Sequence, residues 1–373
     1  MTDNIDLVIV QTIETAAMPK GQICSIKLNR PQAINALNYE MVSAIKEALI
    51  AGLTNENLKL VIVEHVGGRG FCAGGDIAML KQSGASDGKA AQAFFHSEYQ
   101  IKHLIANYPK PYLAFMDGIV MGGGVGISIH GDYRIATENT IFAMPETGIG
   151  LLPDVGGGWF LPRLKNHIGI YLALTGARLR AADCIEAGIA THFVNADKLP
   201  KLKTAIENAP SLIEKNIENI LGEYNENAGD LDLLSKKNQE NIARHFAFGT
   251  MQEIFASLGD DENLWAQAQL ALLKTKSPQT LVLALEQLQR GAKMKNLAEV
   301  LAMEYRLSTR VIALHDFQEG VRAMIIDKDF KPKWHDKSIY DVDMEKINAL
   351  FAPLTDYEEW ETSCPPLVGG PRF

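Results

Sequence analysis

Over the first 200 residues, short β-rich runs alternate with stretches of helical periodicity, and this alternation restricts the fold more than any other feature. "LVIVQTI" (7–13) and "ICSIKLN" (23–29) read as two strands joined by a turn at "PKG" (19–21). After Asn38, "YEMVSAIKEALIAGL" carries apolar residues at helical spacing. "LKLVIVEHV" (58–66) is a buried-strand run, and "AAQAFFHSEYQIKHLIANY" (90–108) reads as a helix stopped by Pro109. "PYLAFMDGIV" and "YRIAT" are further strands, with "MGGGVGISIHG" between them as a glycine turn entering a short buried helix. Strands separated by helices pair in parallel, so the expected class is α/β.

Beyond "THFVNADKLP" (191–200) the pattern changes, and residues 201–328 hold long helical patterns with few β-branched runs. In "KTKSPQTLVLALEQLQRGAKM", Ser277 is placed as an N-cap and Pro278 at the first helical position, ahead of an apolar stripe to Gly291. The expected organisation is a body over 1–200 and a helical region over 201–373. The closing stretch, "KPKWHDKSIYDV…PPLVGGPRF", reads as chain packed over the surface.

A chain of 373 residues, 47% hydrophobic and 22% charged, has ordinary water-soluble globular composition. A net charge of −9 argues against nucleic acid as the main partner, while local Lys or Arg can still hold an anionic ligand. Cys24, Cys72, Cys184 and Cys364 form no CxxC pair, so no zinc site or disulfide framework is expected. The start "MTDNIDLVIV" has no basic region leading into an apolar one, and no run reaches the length of a membrane span. The expectation is a cytoplasmic protein without membrane contact.

Two glycine clusters, "GGRGFCAGGD" (67–76) and "DGIVMGGGVG" (117–126), each follow an expected strand and lead toward a helix. Neither completes a dinucleotide fingerprint, since Ile127 and Ile129 stand where the last glycine belongs, and no GK[ST] follows. Taken singly, each reads as a tight turn. Taken together, one N–H from each could form a two-donor oxyanion hole. "GISIH" is a near miss to a nucleophile elbow and reads as a packed Ser128. His96 and His103 lie two helical turns apart, about 10 Å, too far to share a metal, and no metal site is expected. Glu146 by itself reads as an exposed acid at a helix start, and Asp154 as an N-cap. Both flank a Gly/Pro loop among Phe142, Met144, Leu151, Leu152 and Trp159, surroundings that raise a carboxyl pKa and suit it to proton transfer or nucleophilic attack.

"LNRPQAINAL" (28–37), "GRGFCAGGDI" (68–77), "DGIVMGGGVGISIHGDYRIA" (117–136) and "FAMPETGIGLLPDVGGG" (142–158) occur in the order of the signature blocks of the crotonase, or enoyl-CoA hydratase/isomerase, superfamily, which the chain resembles. "FQEGVRAMIIDKDFKPKW" (317–334) is similar to its C-terminal block. The resemblance implies a spiral of ββα turns with an extended α-helical C-terminal region, and acyl-CoA thioesters as ligands. It maps the oxyanion donors onto the N–H groups of Gly75 and Gly123, and the CoA-lining backbone onto Ala33, Ala73, Asp76 and Ile77. Arg69 or a lysine of the C-terminal helices would meet the CoA phosphates.

Hydratases of the family use two glutamates. Here the first position is Gly126 and the second is Glu146, while Asp154 is added in "PDVGGG". These features, with the extra length, resemble the 3-hydroxyisobutyryl-CoA hydrolase branch, in which "FFHSEY" makes Glu98 a further substrate-pocket acid. The implied reaction is hydrolysis of a short 3-hydroxyacyl-CoA, a step of valine catabolism, through Glu146 and Asp154, with no cofactor besides the CoA of the substrate. A hydratase or isomerase working through Glu146 alone, and a CoA-thioester binder without turnover, stay as alternatives. Relative to short family members, residues near 205–275 are an inserted helical segment. It occupies the region through which those members assemble, so their trimers are not carried over and a homo-oligomer stays open.

Overall fold

The computed structural model describes residues 6–16, 21–355 and 358–362. Strand β1 (Val8–Glu14) pairs antiparallel with β2 (Gln22–Leu28). Pro19 and Lys20 of the expected connecting turn, and Cys364, lie outside the described residues. Strands β3 (Leu58–His65) and β4 (Tyr112–Met116) follow in the same sheet. The chain then forms β5 (Ile119–Met121), β6 (Tyr133–Ala136), β7 (Ile141–Ala143) and β8 (His192–Phe193). The large sheet runs β1-β2-β3-β4-β6-β8 and is parallel from β2 onward, whereas β5 and β7 form a small parallel sheet of their own.

"PYLAFMDGIV", expected as one strand, is thus two. Gly118 turns the corner between them at φ +85°, where a Cβ would stand 2.7 Å from the carbonyl oxygen of Arg69. Isolated bridges Leu37–Gly75, Cys72–Val120 and Phe142–Leu179 extend the small sheet's stacking. Each ββα turn of the spiral therefore places one short segment beside the last, and the glycine clusters lie along this stack.

Strands β2, β3, β4 and β6 are buried on both faces, which is why "LVIV" of β3 and "YLAFM" of β4 read as unbroken apolar runs. Strand β1 is an edge strand with most residues exposed. Val61, Val63, Ala114 and Met116 belong to the main core. Their neighbours Leu60, Ile62, Leu113 and Phe115 face a second cluster with Leu202, Ile206, Ile217 and Leu221. Those last four come from helices Leu199–Glu207 and Glu214–Tyr224, so part of the added helical region covers the outer face of the sheet. Helix Ile168–Thr175 is apolar on all sides, and such a helix needs cover everywhere. Helices Lys236–His245 and Leu264–Leu273 pack on it.

Sequence expectations for individual helices hold closely. Asn38 caps Tyr39–Thr54 by accepting the Met41 N–H at 2.9 Å. Ser277 caps Pro278–Gly291 by accepting the Thr280 N–H at 3.1 Å, and its own hydroxyl donates to Asp316 at 2.5 Å. The helix expected to stop at Pro109 spans Lys89–Ala106. The change of character near residue 200 coincides with the start of Leu199–Glu207, but one main core draws on residues from both sides of it, from Val8 to Phe193 and from Leu234 to Trp360.

Gly150 closes the 3-10 turn Glu146–Ile149 at φ +73°, and a Cβ there would overlap the carbonyl of Asp316. Gly150→Ala combines left-handed strain with backbone overlap. It should destabilise the fold by about 2–4 kcal/mol, read as a lower urea midpoint at unchanged slope.

Candidate active site

The two glycine clusters meet at one wall of a cavity of about 300 Å³. In the parallel bridge between residues 37 and 75, Leu37 donates to the Gly74 carbonyl and accepts from the Asp76 N–H. The Gly75 amide therefore points away from Leu37. Gly123 opens the short helix Gly123–Gly126, so its N–H has no partner within that helix. Among the described residues neither amide donates a hydrogen bond. The approach of the turns depends on glycine: Gly74 and Gly122 have φ of +122° and +47°, and a Cβ on Gly123 would lie 2.7 Å from Glu98 Oε1.

Glu146 and Asp154 line the same cavity, and Glu146 Oε1 lies 3.3 Å from where a Cβ on Gly122 would stand. Glu146 does begin a helical turn, but it is only 5% exposed, and its Oε2 is buried without a hydrogen-bond partner. Burial, and then the charge of Asp154, hold its carboxyl well above the usual range. Asp154 is equally buried and is not an N-cap. The cap position of the next helix is Gly156, and the Asp154 carboxylate accepts the Tyr99 hydroxyl at 2.7 Å instead. Burial and the nearby Glu98 push its pKa up to about 7, against the opposing pull of the Tyr99 hydrogen bond and Lys102.

The loop carrying Asp154 is strained and pinned. Val155, a β-branched residue, has φ +54°. Its carbonyl accepts from His130 Nε2 at 3.0 Å, and burial lowers the His130 pKa to about 4, leaving a neutral ring. Glu304, on helix Leu297–Val311, accepts the N–H groups of Gly156 and Gly158, both at 2.7 Å. Gln287 donates to the Pro153 carbonyl at 2.7 Å and to Glu304 at 3.1 Å. Sequence reasoning missed Gln287 and Glu304. Their only signal is a polar residue set on the apolar face of an amphipathic helix.

A second pair was half seen. Glu98 is 2% exposed and accepts from Lys102, fully buried one helical turn later, at 3.1 Å. The Lys102 stem fills the space beside Gly126, where a Cβ would overlap Lys102 Cε and stand 2.7 Å from Val155 Cβ. No side chain fits at 126 while Lys102 keeps this place.

Of the residues mapped to CoA, Ala73 and Ile77 line the cavity, whereas Ala33 and Asp76 are not among its lining residues. Ala33 ends the 3-10 turn Pro31–Ala33. Asp76 caps helix Ile77–Gly84 through the Met79 N–H at 3.2 Å and pairs with Arg30 at 3.0 Å. Arg178 and Lys276 are the basic residues on the cavity wall, and Arg69 is not on it. The Ser128 hydroxyl is spent on the Gly124 carbonyl at 2.8 Å, as a packed serine should be.

Residues 23–351 match the family model described as enoyl-CoA hydratase/isomerase. The chain belongs to that family. Over 332 residues it is 46% identical to "3-hydroxyisobutyryl-CoA hydrolase, mitochondrial" of Xenopus laevis, covering 88% of this chain and 86% of the relative. The Homo sapiens protein of that name is 42% identical over 338 residues, covering 90% and 87%. Two solved structures share the fold over nearly their whole length. A carnitinyl-CoA dehydratase from Mycobacterium thermoresistibile has a TM-score of 0.87 at 34% identity, covering 97% of this chain and 100% of that one. An enoyl-CoA hydratase from Rhodobacter sphaeroides 2.4.1 has 0.84 at 37%, covering 95% and 99%. One expectation is corrected: the hydrolase relatives are named as mitochondrial, which overturns the cytoplasmic assignment drawn from cysteine usage and the first residues.

An acid whose pKa is raised by folding binds protons more tightly when folded, so it removes stability as pH rises from its unfolded value toward its folded one. For Asp154 that window runs from about 4 to about 7. Asp154→Asn should therefore match the parent in stability near pH 4 and exceed it by about 2–4 kcal/mol at pH 8. Urea unfolding at the two pH values checks this.

Proposed function

We propose that this chain hydrolyses short 3-hydroxyacyl-CoA thioesters, with 3-hydroxyisobutyryl-CoA as the principal substrate. The observation that carries the reading is Glu146 Oε2, a buried carboxylate oxygen with no partner, in a cavity shared with the unused amides of Gly75 and Gly123. A stable fold does not leave such groups unsatisfied without a use for them. Relatives named for this activity, aligned along most of the chain, support the same choice of substrate.

In this reading the Gly75 and Gly123 N–H groups receive the thioester oxygen as it gains charge. Each such donor is typically worth ~3–4 kcal/mol in the transition state. Glu146 supplies the oxygen nucleophile, as its own carboxylate or through a water it deprotonates. Both routes require it ionised, and a neutral Asp154 favours that state because its charge would otherwise oppose it. Asp154, with a pKa of about 7, also binds the 3-hydroxyl or the water and returns a proton during turnover. A departing thiolate needs little acid assistance, since a thiol pKa is near ~8.5. Glu98, held by Lys102, is the third acid at the substrate hydroxyl. Arg178 and Lys276 meet the phosphates of CoA, and no resident cofactor is required.

A hydratase reading draws on the names of the two solved structures, one a dehydratase and one a hydratase. It lacks the first of the two glutamates that hydratases of the family use, because position 126 is glycine and Lys102 occupies its space. The test is release of CoA thiol from 3-hydroxyisobutyryl-CoA beside loss of crotonyl-CoA absorbance. Thiol release is expected from the parent, with Glu146→Gln at least about a hundredfold slower and Asp154→Asn also impaired. Loss of crotonyl absorbance without thiol release would establish the hydratase instead.

A further inference from the structure

Asp154 and Glu146 account for the chemistry, yet a hydrogen-bonded chain behind Asp154 is left without a role. Tyr99 is wholly buried on helix Lys89–Ala106, and its hydroxyl lies 2.7 Å from Asp154 Oδ2 and 2.9 Å from Ser308 Oγ. Ser308 sits one helical turn after Glu304 on Leu297–Val311, so one face of that helix holds both the Asp154 loop and its hydroxyl partner. A phenol has a single proton. Burial and the charges of Asp154 and Glu304 keep that proton on Tyr99, far above the ordinary phenol range. If Tyr99 donates to Asp154, it accepts from Ser308, and the chain runs from Ser308 through Tyr99 to Oδ2. Serial bonds of this kind strengthen one another.

We infer that Tyr99, oriented by Ser308, is a positioning residue for Asp154: it fixes Oδ2 as an acceptor, leaves Oδ1 for the substrate or water, and weakens the hold of Asp154 on its proton. This rests on the hydrolase reading for its link to turnover, but not for its effect on Asp154. The other groups around the acid are Glu98 and Lys102 from the Tyr99 helix, Glu146 in the same cavity, Glu304 from Leu297–Val311, and neutral His130 on the Val155 carbonyl. Tyr99→Phe leaves all of these in place. It keeps the ring, which packs near Phe95 and Tyr305, and removes only the hydroxyl.

The experiment is the pH dependence of kcat/KM for thiol release by the parent, Tyr99→Phe and Ser308→Ala. Loss of a hydrogen bond to a charged group should move the limb nearest pH 7 upward by about 1 unit in Tyr99→Phe. Ser308→Ala should move it the same way by less. Urea unfolding across pH 4–9 gives a readout that needs no turnover. The Asp154 share of the decline in stability with rising pH is read against the matching Asp154→Asn variant, because Glu304 titrates at about 8. That share ends near 7 in the parent and should extend about 1 unit higher in Tyr99→Phe. If both profiles stay in place while kcat alone falls, Tyr99 is packing and the inference is overturned. Should Tyr99→Phe fail to fold, an unshifted Ser308→Ala overturns it equally. A parent that releases no thiol, with the unfolding profile still displaced in Tyr99→Phe, would remove the hydrolase and leave the positioning role intact.

Discussion

Three carboxylates, Glu98, Glu146 and Asp154, line one cavity, and the buried ammonium of Lys102 pairs with the first of them. Charge cannot be left uncompensated in such surroundings, so the group must hold protons that acids in water would release. Lys102 answers for Glu98. Glu146 and Asp154 carry what remains: Asp154 makes Glu146 harder to ionise, and Glu98 does the same to Asp154. In the proposed reaction one carboxylate of the pair acts as a base and its neighbour gives a proton back. The same arrangement explains why position 126 is glycine, since Lys102 can lie there only if nothing else does.

Holding acids this way opposes folding, and the compensation comes from elements far away in sequence. Gln287 and Glu304 fasten the backbone on either side of Asp154, allowing Val155 to keep a conformation its side chain disfavours. Glu304 is itself a buried acid, with its pKa pushed up to about 8, kept in place by two N–H donors and Gln287. Polar groups thus form a connected layer behind the cavity. Around it the apolar core is continuous, and the rigidity of the site follows from that continuity.

Much of this was legible in the sequence. Alternating periodicity revealed the parallel sheet, helical spacing found the helix after Asn38, and cap chemistry placed Ser277 correctly. The ordered glycine and carboxylate blocks located the cavity wall and the acid pair, because glycine at a close approach and an acid among apolar residues are local signatures. What escaped was non-local. Nothing in "DGIV" by itself shows that Gly118 ends one sheet and begins another, because the obstacle is the backbone at Arg69 and Gly70. Asp154 as an N-cap was a sound local reading, defeated by a tyrosine 55 residues upstream. Lys102, Gln287 and Glu304 look like ordinary polar members of amphipathic helices until the fold turns them inward.

The unbroken core also bears on how separable this molecule is. A boundary drawn at residue 200 would cut the apolar cluster and strip the Asp154 loop of Gln287, Glu304 and Ser308 together. The helical region is then no accessory that could be exchanged as a module. Transplanting the acid pair onto a shorter scaffold would carry over the reactive groups without the braces that hold them. Glu146 and Asp154 belong, physically, to both ends of the chain.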